Sequence, residues 1–238
     1  MTRDETLLLI AEIARLLEGC RHVAVGALSP IPAAGALLAR ELAGGAVRVS
    51  ILGSRRHSPF TEGGRELFDC AAQGRIDAFF LSGVQIDGAG NVNLLGLAED
   101  GRITRRFAGS FGAPYLAFLV PRLVLFRTDH SPRTLVEKVD HVTAPGSGPP
   151  GVWRKGGPVA LLTPRCRFAF RDGRFVLESL HPGQDLEEVR ARTGFPFDLA
   201  GQVAVTAPPP EGWRACIQGP VREAMAEVYP AFAARLAG

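Results

Sequence analysis

The stretch HVAVGALSPIPAAGALLARELAGGAVRVSILG, from His22 to Gly53, joins two apolar runs through a segment with helical spacing. HVAVGAL (His22 to Leu28) and VRVSILG (Val47 to Gly53) are typical of short buried strands, because they are rich in valine and almost free of charge. Between them, SPIP is predicted to break the chain and AAGALLARELA (Ala33 to Ala43) to form a helix. A strand, a helix and a second strand in this order predict a parallel βαβ unit.

The same alternation continues on both sides of this unit. Apolar residues recur at helical spacing from Leu7 to Leu17, with Thr2 or Asp4 available as the cap. TEGGRELFDCAAQG (Thr61 to Gly74) is predicted to be helical, and AFFLSGVQI (Ala78 to Ile86) to be a third buried strand. We therefore predict an α/β fold in which helices flank a mainly parallel sheet.

The second half of the chain is predicted to contain more strands and fewer helices. Asp172-Gly173, between two alternating segments, is a strong hairpin signal. The segment 144–158 is rich in glycine and proline and is predicted to be a loop. Because the strands after it are too few for an independent core, we expect residues 1–238 to form a single domain. The other elements predicted in this half are strands at Leu123–Thr128, Val159–Pro164, Arg167–Asp172 and Arg174–Leu180, a helix at Asp185–Gly194 and a helix within Pro220–Leu236.

The charge of the chain argues against nucleic acid as a partner. The formal net charge is +3, from 27 basic and 24 acidic residues, and the basic residues are scattered along the chain. A nucleic-acid interface normally requires a basic stripe or patch, and the sequence contains none. A weak preference for anions remains compatible with this charge.

The cysteines and the N-terminal segment indicate a cytoplasmic protein. Cys20, Cys70, Cys166 and Cys216 are far apart, so no CxxC or zinc-site spacing occurs and no metal site is expected. We expect these thiols to be reduced. The N-terminal segment carries acidic residues among its apolar ones, unlike a signal peptide, and no stretch is long enough to span a membrane.

Ligands of parallel α/β sheets bind at the carboxyl ends of the strands. Three segments leave such ends in this chain, namely GALSPIP, ILGSRRHSP and VQIDGAGNVN. The last one holds more asparagine, aspartate and glycine than a turn requires. The candidate side chains for contact with a ligand are Gln85, Asn91 and Asn93.

Two further features could serve a site. The glycine loop GSFGA provides Gly109, Ser110 and Gly112, whose small size would let backbone N–H groups approach a ligand oxygen, as an oxyanion site requires. His57 follows Arg55 and Arg56 at the end of a predicted strand. Each feature taken alone is also compatible with an ordinary loop or surface.

Four segments together resemble one family. VQIDGAGNVN is similar to the V-D-x-x-G-N-x-N segment of the β subunits of class I CoA-transferases of the glutaconate CoA-transferase type, and GSFGAP to their G-S-G-G-A loop. RTLVEKVDHVTAPG (133–146) resembles their F-V-E-K-V-D-F-V-T-S-P-G segment. LESLHPGQDLEEVRARTGF (177–195) resembles L-x-S-L-H-P-G-V-x-x-E-E-V-x-x-x-T-G-F. The segments occur in the family's order and span most of the chain.

The resemblance implies a fold of the NagB/RpiA/CoA-transferase type and a single β-subunit-like domain. It also implies a homologous α-type partner subunit, with an active site at the interface of the two, and an acyl-CoA substrate. Coenzyme A would enter as part of that substrate, so no separate cofactor is expected.

One departure from the family bears on the chemistry. In the transferases the second strand ends with a glutamate that attacks the acyl-CoA carbonyl and becomes a glutamyl-CoA thioester. This chain has Gly53, Ser54, Arg55, Arg56 and His57 there, and the next carboxylate is Glu62. A branch that includes the small subunit of the steroid-ring-opening hydrolase also lacks this glutamate, because its catalytic carboxylate is supplied by the other subunit.

Three functions are therefore open. The first is a CoA-thioester hydrolase of the C–C ring-opening type, with Arg56, His57 and Ser54 as the candidate catalytic residues. The second is a true CoA-transferase, whose nucleophile is Glu62 or a residue that a shifted register would bring to this position. The third is a non-catalytic scaffold subunit that completes the active site of its partner.

Overall fold

The structure, a computed structural model, describes residues 1–237. The described residues fold as two compact units, one formed by residues 1–80 with 208–237 and the other by Leu81–Ala207. Within the described residues, no helix has both the length and the apolar character needed to cross a membrane. The expectation of a single domain stays a prediction.

The helices and strands alternate along most of the chain. In chain order they are α1 (Arg3–Leu16), β1 (His22–Val25), α2 (Pro30–Leu42), β2 (Arg48–Ile51), α3 (Gly64–Ala72), β3 (Ala78–Leu81), β4 (Gln85–Ile86), β5 (Val92–Asn93), β6 (Gly96–Glu99), β7 (Arg102–Arg106), α4 (Ala113–Leu119), β8 (Arg122–Phe126), β9 (Pro158–Leu162), β10 (Cys166–Arg171), β11 (Arg174–Leu180), α5 (Leu186–Arg192), β12 (Asp198–Val205), α6 (Glu211–Cys216), α7 (Arg222–Ala226) and α8 (Pro230–Leu236).

The first unit is the βαβ arrangement that the opening stretch predicts. β1 pairs in parallel with β2 on one side and with β3 on the other. Helices α1 and α2 pack closely, since a Cβ atom on Gly35 would lie 2.3 Å from Cγ2 of Ile13. Thr2 and Glu5 form the capping box that starts α1, so the predicted helix and its cap are confirmed.

The prediction that SPIP breaks the chain before the helix is wrong. Helix α2 already begins at Pro30, and both prolines lie in its first turn. Proline is tolerated there because the first N–H groups of a helix have no intrahelical partner. The sequence therefore marks the start of the helix at this point and not a separate turn.

The second unit is built from β8 to β12. β8 pairs in parallel with β9, β9 and β10 are antiparallel, β10 and β11 form an antiparallel hairpin, and β12 runs parallel to β11. Phe168, Phe175 and Phe195 form an aromatic cluster under these strands. Parallel pairs thus occur in both units and helices flank the strands, so the α/β fold class is confirmed.

Asp-Gly turns decide the hairpins of this unit. Asp172 and Gly173 both have positive φ (50° and 79°), which confirms the predicted β10–β11 hairpin. Asp100 and Gly101 make the same turn between β6 and β7, with φ of 49° and 74°, but the sequence pattern did not predict this hairpin. The Asp-Gly signal was present, although the flanking strands are too polar to be recognised by their hydrophobic pattern.

Two long predicted elements are divided in the structure. The strand expected at Ala78–Ile86 stops at Leu81, and β4 then pairs with β5 in a separate small ladder. The helix expected within Pro220–Leu236 consists of α7 and α8, and it follows a kink at Gly219. Glycine and proline at the kink interrupt the regular helical bonding.

His130 is a buried imidazole at the centre of the second unit. Its Nδ1 lies 2.8 Å from Oγ1 of Thr163, and its Nε2 lies 2.9 Å from Oγ1 of Thr193. Burial, helped by the charge of Arg165, lowers the pKa of His130 from its usual 6.5 to about 4. The folded protein therefore keeps this ring neutral at neutral pH.

We expect His130 to make the second unit sensitive to acid. The unfolded chain binds a proton at His130 more readily than the folded chain, so the free energy of unfolding should fall as the pH drops below 6.5 and level off below about 4. A shift of this size corresponds to about 3 kcal/mol. Chemical denaturation at pH 7 and pH 4 should show His130→Gln losing less stability than the wild type by roughly this amount. The exposed His141→Gln is the control, and equal losses in wild type and His130→Gln would contradict the assignment.

Candidate active site

The turn after β2 lies where the resemblance places the catalytic carboxylate of the transferases. Gly53 has a φ of 91°, and the chain then bends back so that His57 accepts a hydrogen bond at its carbonyl from the N–H of Ile51 (2.7 Å). Ser54 is buried, and its hydroxyl oxygen accepts the N–H of His57 at 2.9 Å. The turn is thus held by its own backbone and by the Ser54 hydroxyl.

A carboxylate from the end of the chain binds this turn. The hydroxyl of Ser54 donates to Oε2 of Glu227 at 2.7 Å, and the N–H of Arg55 donates to Oε1 at 2.7 Å. Two residues later, the hydroxyl of Tyr229 accepts the N–H of Ser29, the N-cap of α2, at 3.2 Å. The corner between α7 and α8 therefore binds both the turn after β2 and the start of α2.

The hydrogen bonds define the charge state of Glu227. The bond from the Ser54 hydroxyl, then that from the Arg55 N–H, lower the pKa of the Glu227 carboxyl below its usual value. The carboxylate is consequently ionised at neutral pH, with an oxygen committed to each donor. Such a group is well suited to fixing the turn and poorly suited to attacking a substrate.

The candidate residues of this turn do not all face the same way. The side chains of Arg55 and Arg56 are exposed. The ring of His57 is half-buried, with Nδ1 at 3.4 Å from Nη1 of Arg40, and its buried Nε2 has no hydrogen-bond partner within the described part of the chain. Burial, then the charges of Arg40 and Arg56, lower the pKa of His57. The ring is therefore neutral at neutral pH, and one of its nitrogens is unpaired within the described chain.

Glu62 lies away from this arrangement of side chains. It precedes the N-cap of α3 instead of lying in the helix, and its side chain is 63% exposed and bonded to Arg65 at 3.3 Å. Its carboxylate therefore pairs with a neighbour on the surface and not with the turn after β2.

The candidate amides Gln85 and Asn93 form one buried pair in the second unit. Asn93 is fully buried, and its side-chain N–H groups donate to Oε1 of Gln85 (2.8 Å) and to the carbonyl of Gly96 (2.7 Å). Its Oδ1 accepts the N–H of Leu95 at 3.0 Å. Oε1 of Gln85 also accepts the N–H of Asp140, at 3.0 Å.

Asp87 and Asn91 form a second pair beside the first. The carboxylate of Asp87 accepts the N–H groups of Ala89 and Asn91 and the side chain of Asn91, each at 3.1 Å. The Oδ1 of Asn91 accepts the N–H of Gly146 at 3.0 Å. The polar segment after the third strand is thereby tied to the segment 133–146.

These bonds explain why the strand ends in so much polar chain. The segment runs through the interior without a long ladder, and each buried backbone group still needs a partner. The side chains of Gln85, Asn91 and Asn93 supply those partners. Contact of these three side chains with a substrate stays a prediction, and any such contact would compete with the bonds described.

The glycine loop precedes α4. Gly109 has a φ of 92°, and Phe111 has a φ of 46° and is 79% exposed. The carbonyls of Ser110 and Gly112 accept N–H groups that begin the first turn of α4. A bulky residue with positive φ is uncommon and often marks a functional position. A role for Gly109, Ser110 or Gly112 as an oxyanion site stays a prediction.

Sequence reasoning missed Glu227, Tyr229 and Arg40. Each lies in a helical segment or its corner, where polar residues are expected on the surface. No local pattern pairs Glu227 with Ser54, because the two are 173 positions apart.

No protein-family model matches the chain. The chain is 36% identical over 147 residues to the B subunit of 3-oxoadipate CoA-transferase from Pseudomonas knackmussii, an alignment that covers 58% of this chain and 56% of that protein. It is 33% identical over 140 residues to the B subunit of glutaconate CoA-transferase from Acidaminococcus fermentans. This alignment covers 55% of this chain and 52% of that protein. The chain thus spans about half the length of the curated relatives it matches.

Solved structures share the fold over nearly the whole chain. The decarboxylase AibA/AibB has a TM-score of 0.78 at 23% identity and covers 100% of this chain and 99% of its own. Glutaconate CoA-transferase from Acidaminococcus fermentans has a TM-score of 0.78 at 22% identity, and the match covers 95% of both chains. IpdAB of Rhodococcus jostii RHA1 has a TM-score of 0.78 at 23% identity, and the match covers 92% of this chain and 94% of the IpdAB chain.

The comparisons confirm the resemblance to CoA-transferase β subunits. The two curated relatives are named as such subunits, and the solved structures establish the fold expected from the resemblance.

Removal of the Glu227 carboxylate should loosen the turn after β2. Glu227→Ala would leave the buried hydroxyl of Ser54 and the N–H of Arg55 without their acceptor, so we expect a loss of about 1–2 kcal/mol in the free energy of unfolding. Urea denaturation measures it. Glu223→Ala, on the exposed side of α7, is the matched control and should change stability by less than about 0.5 kcal/mol. A Glu227→Ala variant as stable as the control would show that the bonds are dispensable.

Replacement of Asn93 should lower the free energy of unfolding more than replacement of Glu227 does. Asn93→Ala would remove one of the two donors to Oε1 of Gln85, the side-chain donor to the carbonyl of Gly96 and the acceptor of the N–H of Leu95. We expect a loss of about 2–3 kcal/mol in the free energy of unfolding. Gln73→Ala removes an exposed amide and serves as the control. If both variants unfold at the same urea concentration, the network does not stabilise the second unit.

Proposed function

We propose that this chain is the β-type subunit of a two-subunit enzyme that acts on a CoA thioester by hydrolytic C–C cleavage. The observation that carries the proposal is the turn after β2. Its residues from Gly53 to His57 include no carboxylate of their own, and the carboxylate that reaches the turn, Glu227, is committed to Ser54 and Arg55. A covalent CoA transfer needs a carboxylate that is free to attack.

The chemistry of the turn fits the activation of a carbonyl group. Arg55 and Arg56 carry exposed guanidinium groups that can orient an anionic or ketonic substrate, and His57 offers a ring nitrogen that is unpaired within the described chain. Positive charge and fixed donors stabilise the oxyanion that forms when water adds to a carbonyl. Ser54 is buried and bonded on both sides, so we give it the role of holding this turn.

A partner subunit completes the proposal. The carboxylate that activates water would come from an α-type subunit, as in the branch of the family that lacks the glutamate. Both curated relatives are named as one subunit of a larger enzyme, which supports a heteromeric assembly. One protein of the same fold is a decarboxylase, so reactions that break C–C bonds are compatible with this fold.

CoA transfer is the second candidate. It is favoured by the two curated relatives, both CoA-transferase subunits. The nucleophile would then be Glu62, which would have to leave Arg65 and approach the turn after β2.

A stoichiometric assay of the co-purified pair separates these functions. We expect consumption of the acyl-CoA in water alone, with no dependence on an added carboxylic acid and no CoA adduct on any glutamate of this chain. Mass spectrometry of the substrate-treated pair locates adducts. An adduct on Glu62, together with a requirement for an acceptor acid, would replace the hydrolase with the transferase.

Arg56→Ala and His57→Gln should each lower kcat of the assembled pair by about 10²-fold, since each removes a group that stabilises developing charge. Arg65→Ala is the matched arginine control, because Arg65 is exposed and its ion pair is with Glu62 on the surface. If pairs that carry Arg56→Ala or His57→Gln keep the wild-type kcat and no adduct forms, the chain acts as a scaffold for the partner.

A further inference from the structure

A pocket of about 540 Å³ lies beside β2 in the first unit. Its walls are the end of α2, the outer edge of β2 and the chain that returns after the turn. The positively charged and titratable side chains that line it are Arg40, Arg48, Arg55, Arg56 and His57. Among the described residues that line this pocket, none is an aspartate or a glutamate.

The arginines of this pocket are not neutralised by ion pairs. Elsewhere in the chain, arginines such as Arg65, Arg165 and Arg167 pair with glutamates. Within residues 1–237, the four pocket arginines take part in no such salt bridge. The carboxylates that act on His57 are Glu41 and Glu227, and Glu227 is already bound to the turn. Like charges held together without counter-charges favour an anion in the space between them.

One uncharged donor adds to this pocket. It is the N–H of Val49. Arg48 and Leu52 direct their N–H groups toward β1, so the alternation of a strand directs that of Val49 to the outer edge, along the pocket.

We propose that this pocket binds the phosphate groups of the substrate's coenzyme A, with Arg40 and Arg48 as the principal ligands and the N–H group of Val49 as an additional donor. The inference rests on the proposed function, because that function supplies coenzyme A as part of the substrate.

The charge and the size of the pocket suit phosphates better than a single carboxylate. Guanidinium groups bind phosphate through two parallel hydrogen bonds, and several of them suit a ligand with several negative charges. The diphosphate and the 3′-phosphate of coenzyme A are such a ligand. At about 540 Å³, the pocket has room for more than one phosphate group.

Isothermal titration of the full chain and of the assembled pair tests this assignment, with coenzyme A, pantetheine and inorganic pyrophosphate as the probes. Coenzyme A should bind at least tenfold more tightly than pantetheine, which carries no phosphate, and pyrophosphate should compete with it. Arg40→Gln and Arg48→Gln should each weaken coenzyme A about tenfold and leave pantetheine unchanged. Arg65→Gln is the control and should bind coenzyme A as the wild type does.

Four outcomes would overturn the assignment. Equal affinity for coenzyme A and pantetheine would place the phosphates outside the pocket. Wild-type affinity in Arg40→Gln and Arg48→Gln, with turnover of the thioester intact, would reject the pocket and leave the proposed function standing. Binding by the free chain that is lost in the pair would mean that the partner covers this pocket. Binding of pyrophosphate without any binding of coenzyme A would instead reject the proposed function and assign the pocket to another phosphate compound.

Discussion

The carboxylate of Glu227 determines the shape of the turn on which the candidate site depends. It accepts the hydroxyl of Ser54 and the N–H of Arg55, both at 2.7 Å, and so fixes the point at which the chain reverses after β2. The directions of Arg56 and His57 follow from that reversal. Because Tyr229 binds the N-cap residue of α2 from the same corner, the C-terminal segment holds both the turn after β2 and the start of α2.

The placement of Glu227 also changes what its carboxylate can do. The resemblance to CoA-transferases would predict a glutamate in this region with its carboxylate free to attack a thioester. In this chain the carboxylate comes from another part of the sequence, has a lowered pKa and is committed to two donors. A carboxylate stabilised by hydrogen bonds is a weaker base and nucleophile than a free one. The carboxylate of Glu227 therefore stabilises the turn after β2. The other charged side chains around this turn are mainly arginines.

The second unit depends on a different kind of constraint. Its polar segment between Gln85 and Gly96 is buried but forms only very short strands, so its backbone groups cannot be paired by a regular ladder. Asn93, Gln85 and Asp87 replace that ladder with side-chain bonds, which reach Val139 and Asp140 in the segment 133–146. The N–H of Gly194 binds the carbonyl of Leu135 in that segment at 2.7 Å. Three of the four segments that carry the family resemblance thus meet in one polar network.

The sequence by itself determined the fold class, the order of the long elements and the family resemblance. Hydrophobic periodicity, the capping box at Thr2 and the Asp172-Gly173 turn are local signals, and each is read from neighbouring residues. Only the tertiary structure decided that Glu227 reaches Ser54, that His57 faces Arg40 and that Asn93 is consumed by internal bonds. These contacts join residues that are distant in sequence or depend on the direction of a side chain. No periodic pattern encodes either property, because both are set by how the packed elements bring their surfaces together.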